Sequence, residues 1–229
     1  SQDSLSVVTD RSNSSADTSF NYLARMKFLE EKPYPLTLFY ERTHPLVSPS
    51  LDDTFAQKNT RYGANFIWRA PIVFSLDTTV SEAKGSRFNY VVDDSVHQTT
   101  LRGYRSFGQD GYAQLLSQYS EIDSASGSLS LNITPSTHYS RSNSFDTRYI
   151  FGAERQFELA GIASYLTQGS SPNLTETRFN PYLKWQHTAT LSTQYRVDYA
   201  ASNYDTSDVT ATRYTATRYL VGLSDVHKT

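Results

Sequence analysis

The sequence predicts an all-β fold, and three observations predict it. Long segments alternate apolar and polar residues with a period of two. Helical periodicity is scarce, with no stretch of a dozen residues repeating apolar positions at three and four. The chain of 229 residues is only 38% hydrophobic, with a mean hydropathy of -0.54, yet 14% of it is aromatic, including 17 Tyr and 12 Phe. A packed soluble core gathers more aliphatic side chains than this, whereas a strand with one face toward lipid and one toward water needs apolar residues at every second position only. The fold class that follows is an antiparallel transmembrane β-barrel of roughly 12 strands, or part of a larger barrel.

The clearest strand runs from Thr190 to Ala200. Leu191, Thr193, Tyr195, Val197 and Tyr199 fall on one face, and Thr190, Ser192, Gln194, Arg196 and Asp198 on the other. A helix would mix these two sets around its circumference. The same pattern recurs upstream. Phe20, Tyr22, Ala24, Met26 and Phe28 oppose Asn21, Arg25 and Lys27, with Leu23 out of pattern. Tyr62, Ala64, Phe66 and Trp68 oppose Arg61, Asn65 and Arg69. Phe145, Thr147, Tyr149, Phe151 and Ala153 oppose Asp146, Arg148 and Glu154, and Phe179, Pro181, Leu183 and Trp185 oppose Arg178, Asn180, Lys184 and Gln186.

Weaker strands are expected over Pro35 to Thr43, Ile72 to Ser81, Ser95 to Phe107, Tyr112 to Ile122, Ser128 to Ser136, Gln156 to Thr167 and Val209 to Gly222. Turn formers mark the joins at Glu30 to Pro35, His44 to Asp53, Ala83 to Ser86, Asp123 to Gly127, Gly169 to Asn173 and Asn203 to Asp208. Residues 1–16 are polar and read as a loop, a short strand or a tail, leaving 17–229 as the barrel domain.

Several function classes drop out. No segment reaches the roughly 18 uninterrupted apolar residues of a spanning helix. With 21 basic and 23 acidic residues the net charge is -2, so no basic excess favours nucleic acid. The absence of Cys removes disulfides and thiolate sites. The five His, at 44, 97, 138, 187 and 227, are scattered, and no nucleophile elbow, zinc or phosphate-loop motif occurs. The expectation is therefore a protein that is not an enzyme, with no catalytic residue, no metal and no cofactor.

The faces themselves supply the candidate site. Arg61, Arg69, Arg148, Arg178, Lys184, Arg196 and Asp198 are candidates for the lumen wall, with Arg218 a further basic position and Asp146 and Glu154 as counter-charges. Most of these charges are expected to form a salt-bridge ladder across neighbouring strands. Tyr62, Phe66, Trp68, Tyr149, Phe151, Leu183, Trp185, Tyr195, Val197 and Tyr199 are candidates for the membrane-facing surface, several of them for aromatic girdles.

Through these long two-faced segments and the polar joins between them, the chain resembles bacterial outer-membrane β-barrels of the porin kind. The stretch Glu30 to Tyr40, EEKPYPLTLFY, is similar in style to the large barrels of porin-cytochrome conduits. The resemblance implies an outer-membrane location in a Gram-negative envelope, a lipid bilayer as partner, and a channel or conduit with a polar, charged lumen. Barrels of this kind commonly end on an aromatic residue, and this sequence ends Ser-Asp-Val-His-Lys-Thr. The expectation is then a fragment, or a barrel completed by more chain or by other copies. The alternatives are a scaffold or sheath for a protein partner in or near the lumen, such as a redox carrier or surface fibre, or a soluble β-rich surface protein.

Overall fold

The computed structural model describes residues 4–14, 17–50, 53–69, 71–87, 90–128, 133, 135–169, 173–205 and 213–227. Every regular element among them is a strand: β1 (Ser4–Ser14), β2 (Asp17–Phe28), β3 (Leu36–Thr43), β4 (Leu46–Ser50), β5 (Asp53–Ala56), β6 (Lys58–Arg69), β7 (Val73–Arg87) and β8 (Tyr90–Phe107). The remainder are β9 (Gly111–Ser124), β10 (Gly127–Ser128), β11 (Ser136–Phe151), β12 (Phe157–Gly169), β13 (Asn173–Gln186), β14 (Leu191–Asp205) and β15 (Arg213–His227). Twelve form one antiparallel path in the order β1-β2-β3-β6-β7-β8-β9-β11-β12-β13-β14-β15. β10 adds onto β8, and β4 and β5 form a separate hairpin. The fold is thus an all-β antiparallel sheet, an up-and-down meander whose terminal strands are β1 and β15.

The strands are long. Apart from β3, every strand on the path has 11 or more residues, and β8 has 18. Ordinary soluble strands average about 5–6 residues, and about 9–11 suffice to cross a bilayer when tilted. Length goes with a high content of β-branched, aromatic and Ser/Thr residues, and ends come from turn chemistry. At the β2–β3 turn the Lys32 amide donates to the Leu29 carbonyl at 2.9 Å, and Leu29 takes a positive φ of 55°. The β11–β12 turn places Gly152 at φ 100°, which a side chain would resist.

Three differences from the sequence reading have local causes. Ala83 to Ser86 is not a turn. It lies within β7, which continues toward an ion pair of Lys84 with Asp93 on β8 at 3.6 Å. The join from His44 to Asp53 holds β4 and the first residue of β5. The strand over Phe145 to Ala153 stops at Phe151, so Glu154 sits in the turn, its amide bonded to the Gln156 side chain at 3.1 Å. Of the forms expected for the polar N-terminal segment, the strand is the one found: β1 pairs with β2 from Ser4↔Lys27 to Ser14↔Asp17. Of the weak strand over Ser128 to Ser136, positions 129–132 and 134 lie outside the described residues, as do 206–212 at the start of the one over Val209 to Gly222.

The chain divides into two compact units: Ser1–Ala70, Phe74–Thr100 and Tyr119–Tyr139 in the first, and Pro71–Val73, Leu101–Gln118 and Ser140–Thr229 in the second. Neither has a conventional core. Among the described residues the buried apolar side chains are Val92 and Ala160, and no large side chain is fully buried.

Candidate functional site

Directly opposed residues of an antiparallel pair project to the same face, so the register sorts every side chain. In the first unit Met26↔Leu38↔Ala64, Phe28↔Leu36↔Phe66 and Tyr40↔Tyr62 form an apolar face across β2, β3 and β6. Tyr62, Phe66 and Trp68 all belong to it. Tyr22 stacks on Tyr40 at 5.6 Å, and Trp68 on Tyr34 at 5.9 Å. The opposite face carries Arg25, Lys27, Glu41, Arg61, Asn65 and Arg69. There the Asn65 amide donates to Asp77 on β7 at 3.2 Å.

The second unit repeats this division over four strands. Leu159↔Leu183↔Tyr195↔Leu223 is one apolar row, and Ala163↔Phe179↔Tyr199↔Tyr219 is another. Val197, opposite Val221, lies on the same face. At one end of it the rings of Tyr149, Phe151, Phe157, Trp185 and His187 form a continuous chain with centroids 4.2–6.1 Å apart. Just past them the chemistry turns polar: Thr193 bonds Asp225 at 2.6 Å and the His187 ring at 2.7 Å. Among the described residues none covers this face. Phe179 is 49% exposed, Tyr195 47% and Val221, on the terminal strand, 80%.

The reverse face is charged. Glu158↔Lys184↔Gln194 and Ala160↔Tyr182↔Arg196 are two of its rows, and Arg178, Asp198 and Arg218 share it. Arg148 joins them through Glu158, which accepts from its Nε at 2.9 Å and from the Tyr182 hydroxyl at 2.8 Å, a three-strand knot. Arg178, Lys184, Arg196 and Asp198 are therefore brought to one surface with Arg148, and Arg61 and Arg69 share the polar face of the first unit.

The expected cross-strand ladder takes a different form. On this face, Arg148–Glu158 is the one ion pair among the described residues that bridges two strands. Arg178–Glu176 and Arg196–Asp198, at 2.5 and 2.9 Å, are pairs within a single strand, because residues two apart lie on the same face. Asp146 accepts from the Tyr112 hydroxyl at 3.2 Å instead of from an arginine. Glu158 and Glu176 escaped the sequence reading. β12 reads FELAGIASYLTQG, so Gly161 and Ala163 weaken its apolar face while Ile162 and Leu166 sit on its polar one. That blurred alternation hid the register that reveals Glu158.

Two grooves open on the polar faces, one in each unit. The first, about 350 Å³, has Glu41, Asn59, Arg61, Glu82 and Asp94 in its wall. The second, about 550 Å³, has Glu176, Arg178, Arg196, Asp198 and Arg218. No family model and no curated protein matches the chain.

Proposed function

We propose that the protein is an outer-membrane β-barrel acting as a channel or conduit, its charged face lining a wet lumen and its apolar face turned to lipid. The observation that carries this is a sheet with two uncovered faces of opposite chemistry. One is aromatic and aliphatic and the other holds paired charges, along strands long enough to cross a bilayer. In water, a contiguous apolar surface of this kind would drive association. On β12 the apolar stretch from Phe157 to Tyr165 measures about 27 Å along the strand, or about 20 Å along the membrane normal at a tilt of about 40°. This suits the thin hydrocarbon of a bacterial outer membrane.

The lumen candidates are Arg61, Arg69, Arg148, Arg178, Lys184, Arg196 and Asp198. The lipid-facing candidates are Tyr62, Phe66, Trp68, Tyr149, Phe151, Leu183, Trp185, Tyr195, Val197 and Tyr199. The ring chain from Tyr149 to His187 then belongs at a headgroup boundary, where amphipathic rings are favoured. In lipid the outer edges of β1 and β15 need partner strands, since unpaired backbone groups there are costly. Function is passage through the lumen, selected by inward charge, and no residue performs chemistry.

A second reading has its own observation. Ile162 and Leu220 stand 52% and 47% exposed on the charged face, which suits a lumen filled by a protein partner that the barrel sheathes. Gel migration of detergent-extracted protein, unheated against boiled, tests the barrel. A heat-dependent shift is expected, and detergent-free solubility with no shift would overturn it. Single-channel conductance on shifted protein then separates an open channel from a filled sheath.

A further inference from the structure

We infer that the charged face of the second unit holds a binding site for the oxyanion group of a small solute, a carboxylate or phosphate, centred on Arg218. The inference rests on the proposed wet lumen only in requiring that this face meet water.

The register builds the site. Ser164 is opposite Arg178, Arg178 is opposite Ala200, and Ala200 is opposite Arg218. One row across β12, β13, β14 and β15 thus reads hydroxyl, guanidinium, methyl, guanidinium. Arg178 and Arg218 are two strands apart, about 10 Å between backbones. The Ala200 side chain between them is too short to fill the gap, and a groove of about 550 Å³ opens there.

Charge accounting singles out Arg218. Glu176 is engaged by Arg178 through both Nη2 and Nε, at 2.5 and 2.6 Å. Asp198 is engaged by Arg196 at 2.9 Å. Three guanidinium groups therefore face two carboxylates that are already paired, and among the described residues no carboxylate lies within 4.0 Å of Arg218. A guanidinium presents a planar fork of donors that matches a carboxylate or phosphate, which a point charge does not. The ligand that fits is an oxyanion laid over Ala200, held by Arg218 and flanked by the Ser164 hydroxyl and by the Arg178 guanidinium, whose Nη2 and Nε stay on Glu176.

Calorimetric titration with inorganic phosphate, at constant ionic strength set with chloride, tests this on detergent-extracted full-length protein. Saturable binding is expected. Arg218→Gln should weaken it at least about tenfold, as expected for loss of hydrogen bonds to a charged group. Ala200→Leu, which keeps every charge and fills the gap, should do the same, and Arg218→Lys should fall between. No saturable binding by the parent protein, or equal binding by Arg218→Gln and Ala200→Leu, would overturn the site. The gel shift is read on the same samples. Arg218-dependent binding without a shift upholds the site and sinks the barrel, and a shift without binding sinks the site and leaves the barrel standing.

Discussion

The two grooves are built from the same materials and carry opposite residual charge. The first sets two carboxylates of the polar face, Glu41 and Asp94, against one guanidinium, Arg61. The second sets three guanidinium groups against two carboxylates. The difference lies in who satisfies the acids. In the second groove each acid stands two residues from an arginine on its own strand, so proximity follows from the pleat alone. In the first, Asp94 accepts from Ser124 and Ser126 at 2.6 and 2.7 Å, while the Glu82 carboxylate turns to the Tyr62 hydroxyl on the apolar face at 3.5 Å. Glu41 is directly opposite Arg61, yet that guanidinium lies over the Phe39 ring at 5.5 Å from its centroid. The residual charge of a β face is thus set by the spacing of acids and bases along strands, and by what else competes for them, more than by composition.

In the proposed barrel both grooves open on water and the opposite face meets lipid. Val197→Arg breaks that premise most directly. Val197 is 43% exposed between Tyr195 and Tyr199, opposite Val221. An arginine near the bilayer midplane should cost about 2–4 kcal/mol. Ser202→Arg, on the charged face opposite Glu176, should stay within about 0.5 kcal/mol. Urea titrations of protein folded into lipid vesicles measure both. Equal effects of the two substitutions would mean that the faces are not divided between lipid and water.

Gly63→Ala acts on the first groove. A Cβ at Gly63 would collide with the Thr78 carbonyl and stand 2.8 Å from the Phe39 ring, directly across β3 and β6. The glycine leaves room for that ring, over which the Arg61 guanidinium lies. Overpacking here should cost about 1–3 kcal/mol in the same titration. Displacing the ring should also bring Arg61 onto Glu41, making Glu41→Gln more destabilising in the Gly63→Ala background than alone. Additive effects would show that the ring does not govern Arg61.

The sequence made the division of faces legible wherever a strand alternated without lapse, as in β14, where Tyr195, Val197 and Tyr199 separate cleanly from Gln194, Arg196 and Asp198. It read poorly where small residues occupy the apolar face, as in β12. It also misread Ala83 to Ser86, because Gly85 and Ser86 are turn formers by propensity while hairpin pairing with β8 holds them extended. The grooves were out of reach for a different reason. Arg178 and Arg218 are 40 residues apart, and only two successive registers through Ala200 align them.

The two grooves should also differ in how phosphate responds to the loss of one acid. Glu176→Gln and Asp94→Asn each remove one negative charge, from grooves of opposite residual sign. In the first case the bidentate partner of Arg178 is lost, and a second guanidinium becomes available beside Arg218. An exposed ion pair is worth about 0.2–1 kcal/mol, so phosphate should bind about 1.5- to 5-fold more tightly. In the second case the groups released are the hydroxyls of Ser124 and Ser126. No guanidinium is uncovered, so phosphate affinity should stay unchanged. Both variants should keep parental stability to within about 1 kcal/mol, because each exchanges a half-buried carboxylate for its isosteric amide. Equal tightening by the two would mean that phosphate senses the net charge of the protein, whereas tightening confined to Glu176→Gln locates the response at the Arg178–Ala200–Arg218 row.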